Sequence, residues 1–215
     1  MKRTLVITCL ATASISTPPI AARTNNASHA APTTVITATR DRDLADEIPA
    51  AATTASLRDI HRGEKGVSLD EALRHVPGII ASNRHNLSQG ERLTVRGLGA
   101  RASFGVRGLK VLLDGIPLTT PDGQTQLGNV DLASAGRIEV LRGPSSSLYG
   151  NAGGGVVAIH SIPGATGEWR IRPSLIVGSH GLRRTQLGVS GGNTRHRLSV
   201  NIRRLQLDGY RDHSE

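Results

Sequence analysis

The sequence predicts an α+β fold, a mixed β-sheet with short helices, followed by a run of antiparallel strands. Three observations carry this expectation. Short β-branched or alternating segments recur along the chain between turn residues, with 25 glycines and 10 prolines among 215 residues. Helical periodicity is confined to one brief stretch around Leu69, Leu73 and Val76. After Pro163-Gly164 the pattern becomes a strict two-residue alternation in segments of about ten residues.

The elements follow in chain order. Residues 1–22 open with Met1-Lys2-Arg3, run through a modestly apolar stretch over residues 4–15 and reach small residues at Ile20-Ala21-Ala22, with Ser28-His29-Ala30 as a second cleavage candidate. This is the pattern of a secretory signal peptide. Cys9, the sole cysteine, falls inside it, so the processed chain carries no thiol, which suits an oxidising compartment. Residues 23–34 are rich in Ala, Thr, Asn, Ser and Pro and read as unstructured. Thr33-Thr34-Val35-Ile36-Thr37-Ala38-Thr39 is extended in character. Residues 41–52 read as a polar, alanine-rich connection. Ser68-Leu69-Asp70-Glu71 reads as a capping box that opens the helix, and Pro77-Gly78 closes it. Ile79-Ile80-Ala81 is a short strand, and residues 83–90 form a polar loop.

From there the chain reads as β. Arg92-Leu93-Thr94-Val95-Arg96 alternates. Residues 109–113 form a strand, Asp114-Gly115 is a two-residue hairpin turn, and Ile116-Pro117-Leu118 returns from it. Residues 119–128 make a loop with Pro121-Asp122-Gly123. Residues 130–135 predict a short helix with Asp131 near its start. Arg137-Ile138-Glu139-Val140-Leu141 alternates again, residues 145–149 form a tight turn, and residues 156–162 make another strand. The alternating segments beyond Trp169 turn at Ser179-His180-Gly181 and Gly191-Gly192-Asn193. Periodicity alone fits two structures equally: membrane-spanning β-strands or a soluble antiparallel sheet.

Composition and charge remove several function classes. The net charge of +9 suggests a nucleic-acid or membrane-surface partner when taken whole. Residues 31–168, however, carry equal numbers of basic and acidic side chains. The excess lies in the leader and beyond residue 168, where arginines far outnumber Asp208, Asp212 and Glu215. With only Phe104, Tyr149, Trp169 and Tyr210 as aromatics, base stacking is poorly served, and no nucleic-acid partner is expected. Gly97-Leu98-Gly99-Ala100-Arg101-Ala102 matches a dinucleotide fingerprint, but no helix follows it. Gly143-Pro144-Ser145-Ser146-Ser147 lacks the spacing of a nucleophile elbow. The histidines, including His61, His75 and His85, are scattered without metal-ligand spacing. No catalytic constellation, metal site or cofactor is expected, and the chain does not read as an enzyme.

Five motifs in order carry a resemblance. They are Leu73-Arg74-His75-Val76-Pro77-Gly78-Ile79, Leu93-Thr94-Val95-Arg96-Gly97-Leu98-Gly99, Val111-Leu112-Leu113-Asp114-Gly115-Ile116-Pro117, Arg137-Ile138-Glu139-Val140-Leu141-Arg142-Gly143-Pro144, and Leu148-Tyr149-Gly150 with Gly154-Gly155-Val156-Val157. Together they resemble the plug domain of TonB-dependent outer-membrane receptors, over residues 32–165. The resemblance implies a signal peptide at 1–22, a flexible segment with the TonB box at 23–44, an α+β plug at 45–165, and the first three or so strands of an incomplete transmembrane β-barrel at 166–215. It also implies a Gram-negative outer-membrane location, or a periplasmic one if the barrel is never completed.

The resemblance further implies roles. Thr33, Thr34, Val35, Ile36, Thr37 and Ala38 resemble the box that pairs with TonB, the periplasmic energy-coupling protein. Pro32 stands where an acidic residue is common, and Thr34 where an apolar one is. A β-branched strand on a tether can add to a partner's sheet edge. The short span between leader and box leaves no room for an N-terminal signalling domain. Arg101, Arg107, Asp122 and Gln124 fall on the ligand-facing loops. Gly99-Ala100-Arg101 followed by residues 111–117 resembles ferric-citrate receptors. The longer string over residues 97–108, with Pro121-Asp122-Gly123-Gln124, is closer to receptors proposed to import pyrroloquinoline quinone. Both ligands carry carboxylates, which arginines hold well. Arg137, Glu139 and Arg142 are expected to make charged contacts between plug and barrel.

The expected function is TonB-dependent uptake of an iron chelate, such as a siderophore or ferric citrate, or of a similar carboxylated molecule, in contact with outer-membrane lipid. The alternatives are a soluble periplasmic binding module and a non-functional truncation product. Plugged transporters have about 22 strands, and an open three-stranded edge is not viable in lipid. The chain by itself is therefore not expected to form a pore.

Overall fold

The structure, a computed structural model, describes residues 35–40, 43, 44, 47, 48, 50–56, 60, 65–82, 90–103, 105–128 and 130–209. Its centre is a five-stranded mixed sheet in the order β3-β10-β11-β7-β8. These strands are β3 (Ala51–Ser56), β7 (Leu109–Leu113), β8 (Ile116–Pro117), β10 (Ala135–Arg142) and β11 (Gly155–Ser161). β10 pairs antiparallel with both β3 and β11, whereas β11 pairs parallel with β7.

Alternation assigns the two faces. Val111, Ile138, Val140, Val157 and Ile159 point into one apolar cluster, which includes Leu69, Leu73 and Val76 of α1 (Leu69–Leu73) and the turn after it. Leu112, Leu141, Val156 and Ala158 point into a second cluster, with Ile36 and Ala38. With apolar material on both faces, β10 and β11 are almost wholly buried, as the centre of a covered sheet requires.

Short ribbons surround this sheet. β1 (Val35–Ile36) pairs with β2 (Asp43–Leu44), β4 (Ile79–Ser82) with β5 (Arg92–Val95), and β6 (Val106–Arg107) with β9 (Gln124–Thr125). The Asp114-Gly115 hairpin forms as expected, with both residues at positive φ (50° and 84°). Asp114 also accepts from the Ser161 N–H (2.8 Å), which ties the turn to the end of β11. Asp131 caps a short 3-10 helix, Leu132–Ser134, and Ser146–Tyr149 forms a single helical turn, α2.

Two local expectations are corrected. Residues 41–52 are not a plain connection: they contribute β2 and open β3, an edge of the central sheet. Ala51-Ala52-Thr53-Thr54 has no apolar alternation, and pairing with β10 makes it a strand. Ser68 does not cap α1 with its side chain. Glu91 does so from the start of β5, accepting from the N–H groups of Leu69 and Asp70 at 3.1 Å each. Glu71 instead reaches back to the Gly66 N–H (2.6 Å).

Beyond residue 169, β12 (Arg170–Val177), β13 (Arg183–Gly192) and β14 (Arg197–Gln206) form an open antiparallel sheet in that order. Among the described residues, no helix is long and apolar enough to cross a membrane, a statement that does not bear on strands.

Candidate functional site

Three features bear on function, and the first is the docked N-terminal segment. Glu139 lies on the same face of β10 as Leu141, under Ile36 and Ala38, and its side chain is fully buried. Its Oε2 accepts from the N–H groups of Thr37 (2.8 Å) and Ala38 (2.9 Å). The Thr37 hydroxyl donates to the same carboxylate (3.2 Å), Arg137 pairs with it at 2.8 Å, and His160 Nε2 lies 3.5 Å away. Arg137 also donates to the Val35 carbonyl (3.3 Å). Burial pushes the Glu139 carboxyl up. The His160 hydrogen bond, the Thr37 N–H and the Arg137 charge outweigh it and hold the carboxyl below its ordinary value. Farther along, the Arg40 guanidinium stacks 4.7 Å from the Tyr149 ring centre.

Val35, Ile36, Thr37 and Ala38 are thus packed against the sheet rather than held on a free tether, with Ile36 and Ala38 buried. Thr33 and Thr34 lie outside the described residues. Arg137, Glu139 and Arg142, expected to make contacts between plug and barrel, here make contacts within the mixed-sheet domain. β10 is flanked by β3 and β11, so these side chains meet the N-terminal segment and the edge strand. Arg142 donates to the carbonyls of Pro77 (2.6 Å) and Ala51 (3.3 Å) and to Thr53 Oγ1 (2.9 Å).

The second feature is the loop cavity. Arg101 and Arg107 are exposed and line one open cavity of about 480 Å³ with Gly97, Gly99 and Gly108. Gly99 fixes this loop: φ is +92°, and a Cβ there would sit 2.6 Å from the Leu93 carbonyl oxygen and 3.0 Å from that of Arg107. Across the β6–β9 ribbon Arg107 stands opposite Gln124. Asp122 accepts from the Thr120 hydroxyl and the Gln124 N–H. These two bonds, with the Arg107 charge, hold its carboxyl below the usual range. Arg101 and Arg107 thus share one cavity and Gln124 stands across the ribbon from Arg107, whereas the Asp122 carboxylate serves its own turn. Residues 83–89 and Phe104 lie outside the described residues. Among the described residues, no cluster of three or more His, Cys, Asp or Glu could hold a metal ion.

The third feature is the inverted β12–β14 sheet. One face carries Ile171, Leu175, Val177, Leu187, Val200 and Ile202, all exposed, with Val177 at 71%. The other carries Arg184, Gln186 and Ser190, all buried, with Arg184 at 4%. Arg184 donates to the Gly66 carbonyl (2.8 Å), and Arg203 forms an ion pair with Asp131 at 3.3 Å. The sheet lays its polar face on the mixed-sheet domain and turns its apolar face outward. Sequence reasoning did not single out Arg184 or Arg203, and it read Asp131 as a helix start rather than as the partner of Arg203. The available signal was parity, since both arginines fall on the polar positions of strands whose alternate positions are apolar.

Comparison with known proteins gives a consistent picture. The sequence pattern of the TonB-dependent receptor plug domain family matches residues 45–156. The hemin receptor of Yersinia enterocolitica is 30% identical over 166 residues, spanning 74% of this chain and 23% of that protein. The pyoverdine outer membrane receptor of Pseudomonas aeruginosa PAO1 superposes with a TM-score of 0.62 at 24% identity, over 80% of this chain and 24% of that one. The ferric yersiniabactin uptake receptor of Yersinia pestis does so with a TM-score of 0.56 at 24% identity, over 73% and 24%. At these identities the structural likeness speaks to the fold. The chain spans about a quarter of the length of the proteins it matches.

Proposed function

This chain belongs to the TonB-dependent receptor plug domain family, and on that premise we propose that it supplies the plug and first barrel strands of an outer-membrane receptor taking up an iron chelate or a similar carboxylated molecule. The observation that carries the membrane part is the inverted β12–β14 sheet. A soluble sheet buries its apolar face and wets its polar one; here Arg184 is buried against the plug while Val177 and Ile202 face outward. That arrangement suits lipid outside and a plugged, polar lumen inside.

The loop cavity is the ligand site in this reading. Arg101 and Arg107 present two guanidinium forks, suited to bidentate carboxylate recognition, and Gln124 beside Arg107 adds an amide. The energy-coupling step falls to residues 33–38. For TonB to take this segment as an added strand, Val35 to Ala38 must first leave Glu139 and the second apolar cluster. The plug then rearranges and opens a path toward the periplasm.

Binding titrations of the full chain test the ligand reading, with ferric citrate, hemin and pyrroloquinoline quinone as separate probes. Saturable binding of at least one is expected. Arg101→Gln and Arg107→Gln should each weaken it about 10- to 100-fold, and the double variant more, since a hydrogen bond to a charged group contributes about 1.5–3 kcal/mol. Failure of all three probes to bind, or an unchanged affinity in the double variant, contradicts this site.

A further inference from the structure

The outward face of β12–β14 ends, toward the turn between β12 and β13, in a cationic pair. Beside the apolar Leu175 and Val177 of β12, this face carries Arg183 and Thr185 on β13 and Arg204 and Gln206 on β14, with Arg183 and Arg204 both exposed. Thr185 stands opposite Arg204 and Arg183 opposite Gln206. The two arginines are therefore diagonal neighbours, about 7–8 Å apart along the backbone. Among the described residues no carboxylate forms an ion pair with either. On the inner face the situation differs: Arg184 has the Gly66 carbonyl and Arg203 has Asp131.

Two unpaired like charges this close repel, and an anion between them removes the penalty. A cavity of about 550 Å³ lies there, lined by Arg183, Thr185, Leu187, Ile202, Arg204 and Gln206. One end is apolar; the other offers two guanidinium groups, a hydroxyl and an amide. At the opposite end of the sheet the outward face carries Trp169, an aromatic of the kind that sits at a membrane interface.

We infer that Arg183 and Arg204 form a binding site for the phosphate of a membrane lipid, whose acyl chain runs along Leu187 and Ile202. Guanidinium forks match phosphate oxygens in pairs. The apolar floor selects the occupant, because a free anion gains nothing from Leu187 and Ile202, whereas a lipid presents phosphate and hydrocarbon together. The face also stays outward however many further strands follow. The site rests on the membrane-facing reading of β12–β14.

The test is partitioning of the full chain into three kinds of vesicle, read from Trp169 emission. They are phosphatidylcholine alone, phosphatidylcholine with one part in five phosphatidic acid, and phosphatidylcholine with oleate at matched charge. Binding is expected to be tightest with phosphatidic acid. Arg183→Gln/Arg204→Gln should lose about 30-fold there, from about a fivefold effect, about 1 kcal/mol, for each juxtamembrane cation. Arg195→Gln/Arg197→Gln removes the same charge near the other end of the sheet, outside the cavity, and should lose clearly less than the Arg183/Arg204 pair. Equal losses in the two double variants, or equal binding to phosphatidic acid and oleate vesicles, overturn the site. If the chain binds phosphatidylcholine but ignores phosphate, this inference alone falls. If it ignores every vesicle, the membrane-facing reading falls with it.

Discussion

Removing the Glu139 carboxylate should undock the N-terminal segment while the central sheet stays paired. In Glu139→Ala the N–H groups of Thr37 and Ala38 lose the acceptor they share, and Arg137 loses its ion pair. Each stranded buried donor costs about 1–3 kcal/mol. Ala38 is buried and Thr37 partly so, which places the combined loss at about 2–4 kcal/mol in the docking equilibrium. The undocked population should rise about 30- to 1,000-fold. Amide hydrogen exchange at Thr37 and Ala38 measures this directly, with Val140 and Ile159, inside the paired strands, as internal references. Tryptic cleavage after Arg40 should accelerate in parallel. Glu139→Gln retains one acceptor and should fall between. The clasp is also pH-dependent. Because the folded carboxyl sits below its ordinary 4.5, its stabilisation is complete above that value and is lost as pH falls further. Unchanged exchange at Thr37 and Ala38 in Glu139→Ala would refute the clasp.

Glu91 should show the opposite pH dependence. Burial, then repulsion by Asp70, raises its carboxyl from 4.5 to about 7. Across that window the folded chain keeps a proton that the unfolded chain has released, so rising pH removes about 3 kcal/mol of stability. Glu91→Gln should flatten the melting temperature between pH 4.5 and 7; an unaltered pH profile counts against the assignment. Arg184→Met keeps the hydrocarbon length but strands the Gly66 carbonyl, and should cost about 1–3 kcal/mol in denaturant unfolding of the full chain. No loss would mean that the inner face of β13 does not bear on the plug.

Where local chemistry decides structure, the sequence was readable. The Asp114-Gly115 turn, the Asp131 helix start and all three C-terminal strands follow from neighbours within a few residues. Where partners come from far along the chain, it was not. β3 is a strand only because β10 lies beside it, and its small residues carry no pattern of their own. Ser68 and Glu71 satisfy the capping-box spacing, yet Glu91, some twenty residues on, takes the helix N–H groups. Glu139 meets Thr37 across a separation of 102 residues, so the motif around it suggested importance without indicating which partner. Alternation in β12–β14 was plain, but which face turns inward depended on the position of the plug. The candidate ligand arginines were legible as a resemblance, and the structure adds that Arg101 and Arg107 share one cavity.

The outward apolar face of β12–β14 underlies the whole account, and Trp169 reports on it without labelling. It is the chain's only tryptophan and is 63% exposed on that face. In vesicles of phosphatidylcholine brominated near the headgroup, Trp169 emission of the full chain should be strongly quenched and largely shielded from aqueous iodide. Emission untouched by brominated lipid and fully open to iodide would contradict the account.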